Sequence, residues 1–139
     1  MTNHSAADKS FKRAKVVLDE AEGLAAAGHW NLAVRRSQEC VELALKGALL
    51  WAGIAVPRVH DVGPLLKQSA DRYPAQFAVT IPQLASISRS LRAEREVSFY
   101  GDPESGIPPE DLYGADDARE ALQKAGFVLE QCRTLPTGL

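Results

Sequence analysis

The stretch 30–52, WNLAVRRSQECVELALKGALLWA, constrains the fold more than any other. Leu32, Ala33, Cys40, Val41, Ala44, Leu45, Ala48, Leu49 and Trp51 fall on helical spacing. At about 100° per residue they cover more than half of a helix's circumference. A helix that apolar needs neighbours on most of its sides, so the chain has to build around it. Gly53 and Pro57 stop it.

Those neighbours are legible on both sides. Phe11, Ala14, Val17 (or Leu18), Ala21 and Leu24 make one apolar stripe, which predicts a first helix over 8–27 closed by Gly28. Residues 1–8 read as a flexible tail. Asp61 is placed to cap a short helix over 62–72. Thr80 and Gln83 have capping-box spacing, and Pro82 fits the first turn, so a further helix is predicted over 80–100. Gly101 closes it. Three prolines and three glycines make 101–114 a loop. The last helix follows Gly114, with Asp116 and Asp117 in its first turn and a stripe of Ala118, Leu122, Ala125, Leu129 and Cys132. Residues 134–139 read as a C-terminal tail. No strand and no repeat is visible. The expected fold is all-α, an antiparallel up-and-down bundle of four long helices and one short one, occupying 9–133 as a single domain.

Composition narrows the function. A net charge of −2 over 139 residues argues against a global attraction to nucleic acid, so polyanion binding would need a local basic patch. Cys40 and Cys132 lie on apolar helix positions and read as reduced core thiols. Three scattered histidines and two cysteines give no zinc spacing, and neither a metal nor a cofactor is expected. No apolar run approaches the roughly 18 residues of a membrane span. The polar N-terminus has no apolar signal-peptide core, and a cytoplasmic protein without membrane attachment is the expectation.

The segment 90–102, SLRAEREVSFYGD, carries the chemistry. On the helix predicted there, Arg92 falls on a polar flank, four residues before Glu96. Arg95 falls about 20° from Leu84, near the middle of the apolar face, with Ser98 beside it. A buried guanidinium costs several kcal/mol unless it is paired. Arg95 therefore lies beyond the core in solvent, pairs with a carboxylate of another helix, or lines a polar cleft. Arg35, Glu39, Glu42 and Lys46 share one line on the second helix. That line is either a solvated face or the wall of a groove facing Arg95. His60 beside Asp61 reads as part of a helix cap, Trp51 as core or interface, and Tyr113 as an anchor for the loop.

The order of these motifs resembles the HEPN family. Ala33, Gln38, Glu42, Leu45, Lys46 and Leu49, followed by His60-Asp61, are similar to the family's second helix and the helix start after it. An arginine-bearing helix ending in Tyr100-Gly101-Asp102, a Pro-rich loop and an acidic helix start match its later arm, and the resemblance spans about 9–132. It implies a dimerising helical bundle with a groove for a nucleotide or RNA. Many members are metal-independent endoribonucleases with an Arg-x4-6-His motif, and some are toxins neutralised by a minimal nucleotidyltransferase. Arg95 matches the motif's arginine, but Tyr100 stands five residues on and no histidine follows His60. The resemblance therefore points to a homodimer that binds phosphate through Arg95. Ser98 and Tyr100 would line the groove, and Lys46 and Glu42 would complete it. Arg95 and Tyr100 are the only catalytic candidates it offers. An active endoribonuclease toxin and a non-catalytic interaction module are the alternatives.

Overall fold

The computed structural model describes residues 3–138. Its helices are α1 (His4–Ala26), α2 (Trp30–Trp51), α3 (Gly63–Gln68), α4 (Ala75–Ala78), α5 (Ile81–Glu94), α6 (Val97–Tyr100) and α7 (Ala115–Arg133). Single 3-10 turns occupy Ala70–Arg72 and Pro109–Asp111. There is no strand among the described residues.

The central position of α2 follows from its sequence. It packs on α1, α5, α6 and α7, and Ala44, Leu45, Ala48 and Leu49 are fully buried. Gly47 lets α1 approach closely, because a Cβ there would stand 2.6 Å from the Phe11 ring. The Asn3 amide donates to the Leu50 carbonyl, which sets the start of α1 beside the end of α2. Asn31 reaches Ser98 and Ser88 reaches Asp61, so α5 runs antiparallel to α2. Lys124 reaches Ser90, and Tyr113 bonds Glu94, so α7 reverses again. The four long helices therefore form an up-and-down bundle. Cys40 and Cys132 are buried and unpaired.

Local details depart from the sequence expectations. The tail expected over 1–8 is helical from His4. The Asn3 side chain accepts from the Ala6 amide, and the buried Ala7 adds a contact that outweighs the polar composition. Residues 1 and 2 lie outside the described residues, as does residue 139. The C-terminal tail is docked rather than loose: Leu135 is buried, and the Pro136 carbonyl accepts from Trp51 Nε1 at 2.8 Å. The helix expected over 62–72 is interrupted at Ser69. The Thr80 capping box does not form, because α4 precedes it in helical geometry and Thr80 Oγ1 donates to Phe77 O instead. The helix expected over 80–100 breaks at Arg95-Glu96 into α5 and α6, so two helical segments stand where one was expected.

Candidate functional site

The break after Glu94 shapes the site. At a helix end the last carbonyls lose their partners. Here the Arg95 carbonyl is recovered by Arg35 Nη1 at 2.7 Å and, more weakly, by Ser98 Oγ at 3.3 Å. Arg35 also lies 5.0 Å above the Phe99 ring, a cation–π contact that steadies α6. The expected Arg92–Glu96 pair is not formed, because helical register is lost between the two. Glu96 instead lies 4.0 Å from Arg95 Nε.

The side chain of Arg95 turns inward against α2. It is 16% exposed. Its Nη1 donates to Gln38 Oε1 at 2.7 Å and lies 3.7 Å from Glu42 Oε1. Its Nε is buried and has no hydrogen-bond partner among the described residues. The polar line of α2 thus faces the arginine end of α5 and α6.

Glu42 is the hub. Its Oε1 accepts from Gln38 Nε2 at 3.0 Å and meets His60 Nδ1 at 2.9 Å, while Oε2 accepts from Lys46 at 2.8 Å. Burial pushes its carboxyl up, but the hydrogen bonds from Lys46, Gln38 and His60 and the charge of Lys46 outweigh burial and hold it below the usual range. Next along the helix, Glu39 pairs with Arg36 at 3.1 Å and lies 4.0 Å from Arg35.

A pocket of about 190 Å³ opens here, lined by Val17, Arg36, Glu39, Glu42, Leu43 and Arg95. A second, of about 370 Å³, shares Arg36 and Glu39 with it and continues along Leu24, Leu32, Arg35 and Phe99. Together they give a groove with arginines on both sides of Glu39.

Of the residues singled out in the sequence, Arg95, Glu42 and Lys46 come together. Ser98 does not join them. It has no exposed surface, and its carbonyl is held by Asn31 Nδ2, so it braces the backbone. Tyr100 is 71% exposed and packs edge-on against Phe99 at 4.9 Å, facing solvent rather than the Gln38–Glu42 cluster. Sequence alone does not single out Arg36, and it offers Gln38 and His60 only as motif and cap residues with no part in a site. Gln38 stands one helical turn before Glu42, and that spacing is its signal. His60 has none, since only the loop's path brings it to α2. The described residues hold no group of three potential metal ligands.

Tyr113, at the far side of α5, hydrogen-bonds Glu94. Burial, and then that carboxylate, push its hydroxyl well up. It anchors the 101–114 loop.

Comparison with known proteins bears on the family and the fold. The family model for the HEPN domain matches residues 7–135. A protein of Methanocaldococcus jannaschii named "Putative toxin MJ1304" is 31% identical over 128 residues, covering 86% of this chain and 81% of that one. The crystal structure of ST0689, an archaeal HEPN homologue, superposes with a TM-score of 0.71 at 27% identity, covering 94% of this chain and 97% of the other. TT1696 from Thermus thermophilus shares the fold, with a TM-score of 0.72 at 23% identity, over 92% of this chain and 96% of that one.

Proposed function

Since the chain belongs to the HEPN domain family, we propose that it binds a phosphate of a nucleotide or of RNA at Arg95, as the toxin-like half of a pair with a minimal nucleotidyltransferase. One observation carries this reading: Arg95 lines a pocket, and its Nε is buried with no hydrogen-bond partner among the described residues. A donor left in that state costs about 1–3 kcal/mol, and a phosphate oxygen would recover it through a charge-assisted bond.

The neighbouring groups fit that role. Glu42 and Gln38 hold Arg95 in place. Lys46 and Arg36 add positive charge beside the carboxylates they pair with. Tyr100, exposed beside Phe99, offers a ring for a base to stack on. Exposed Phe99, Tyr100 and Ile107 on the same end of the bundle suit a homodimer contact. We place the protein in the cytoplasm, and no described helix is long and apolar enough to cross a membrane.

The test is fluorescence titration with ATP and a short RNA at low salt. Wild type binds, and Arg95→Ala loses at least about tenfold in affinity, since a charge-assisted contact is worth roughly 1.5–3 kcal/mol. Arg95→Ala binding as well as wild type would sink the assignment. The pair is tested by co-expressing the chain with a minimal nucleotidyltransferase: a stable complex supports it, and separate elution opposes it. The Arg95–Glu42 approach of 3.7 Å favours a second reading, a structural ion pair in an interaction module. In that case Arg95→Ala lowers stability and no nucleotide binds to either protein.

A further inference from the structure

We propose that the pocket beyond Arg95 is a base-selecting site, in which Glu39 and Arg36 read the Watson–Crick edge of guanine; this rests on the phosphate-binding reading. The pocket that holds Arg95 and the one beyond it both take Arg36 and Glu39 into their walls. A nucleotide with its phosphate at Arg95 therefore has the second pocket open to its base. That pocket measures about 370 Å³, within the roughly 300–1,000 Å³ of small-ligand sites.

The walls suit a flat ring. Leu24 of α1 and Leu32 of α2 line the pocket and are only half-buried. Phe99, 47% exposed, lines it from α6. The Arg35 guanidinium lies 5.0 Å above the Phe99 ring, and its Nη1 is tied to the Arg95 carbonyl. It is thus a held plane rather than a free side chain. Unpaired bases stack on aromatic rings and on guanidinium planes of this kind. Tyr100 lines neither pocket, so its ring is left for the next base of a strand.

The polar edge discriminates between bases. Arg36 Nη1 donates to Glu39 Oε1 at 3.1 Å, which sets the two side chains next to each other. Glu39 Oε2 has no hydrogen bond among the described residues, since Arg35 Nε stands 4.0 Å away. Arg36 Nη2 is equally open, with Glu20 at 4.0 Å. Glu39 Oε1 keeps a second lone pair. The pair therefore offers one N–H donor beside two acceptor oxygens.

Guanine carries the complement: the acceptor O6, then the donors N1–H and N2–H. Adenine turns its N1 lone pair toward the carboxylate. Uracil has one donor between two acceptors, and cytosine has one donor beside two acceptors. Each of these sets at least one acceptor against an acceptor. A site built to bond a particular N–H rejects the analogue that lacks it, because its own polar groups are then left unpaired.

The test is calorimetric titration of the full chain with GTP, ITP and ATP at low salt. ITP has the guanine edge without the N2 amino group. Wild type binds GTP at least about tenfold more tightly than ATP, with ITP between them. Glu39→Gln replaces one acceptor by a donor and removes the charge. It loses at least about tenfold toward GTP and keeps its ATP affinity, with a melting temperature near the wild-type value. The GTP-to-ATP ratio is the decisive readout, since loss of a merely structural ion pair would weaken both nucleotides alike. Equal wild-type affinity for the three nucleotides overturns the base assignment and spares the phosphate reading. So does a Glu39→Gln protein that keeps the wild-type ratio. Failure of all three to bind overturns the base assignment as well, and the titration with short RNA then decides the phosphate reading by itself.

Discussion

Glu42 accepts from Gln38 and Lys46, meets His60 Nδ1, and stands beside Arg95, so one side chain links three elements. Replacing it by glutamine presents an amide N–H₂ to groups that are themselves donors. The Glu42→Gln protein should lose about 1–3 kcal/mol in urea unfolding, the cost of unsatisfied buried groups. Its pH response follows from the same contacts. The folded carboxyl titrates below its ordinary 4.5, so its stabilising contribution is complete above that value. It is lost as pH falls from there through the lower folded value. Melting temperature of wild type should drop in that window, and Glu42→Gln should flatten the drop; equal slopes would count against the assignment. At this scale Arg95 was legible, because a charge on an apolar stripe has to be compensated somewhere. His60 was not, because it lies beyond the end of α2, and only the path of the following loop brings it back to Glu42.

The elements show where local signals yield to their surroundings. The stripes of α1, α2, α5 and α7 declared themselves through periodicity, since each must bury one face. Thr80 and Gln83 have the spacing of a cap, yet the turn of α4 enters α5 in helical geometry and leaves the cap no role. Thr80→Ala should therefore cost well under the ~1 kcal/mol of a working cap. The break at Arg95 had no sequence mark, because no glycine or proline lies there. Its closure did: Gly101 ends α6 at φ +85°, and a Cβ there would lie 2.5 Å from the Ile107 carbonyl oxygen. Gly101→Ala should destabilise the protein by about 1–3 kcal/mol, from the left-handed backbone and the clash together. A denaturation midpoint equal to wild type would mean that the loop can move away without cost.

For the whole molecule, the sequence pattern specified which helix is central but not how the ends are secured. Composition made the N-terminus look loose, since MTNHSAAD is mostly polar, and TLPTGL, short and with a proline and a glycine, reads as a tail. The bundle nevertheless uses each end to cover its base. Trp51 ends α2, stacks parallel to His4 at 5.0 Å and to Tyr73 at 5.8 Å, and donates Nε1 to the Pro136 carbonyl. Leu135, 3% exposed, fills the remaining gap. Deleting 135–139 removes an apolar side chain worth about 1.5–3 kcal/mol and strands the indole N–H, at a further cost of about 1–3 kcal/mol where water cannot reach it. The truncated chain should unfold at clearly lower urea with an unchanged m-value, because the rest of the core still exposes its surface in one transition. Trp51 emission should shift to the red at the same time. Trp30 also emits, so the comparison is made in a Trp30→Phe background. Ligand affinity should stay at the wild-type level, since Gln38 and Glu42, which hold Arg95, lie more than two turns of α2 before Trp51. A truncation that lost affinity and kept stability would reverse this division between the end that closes the bundle and the stretch that binds.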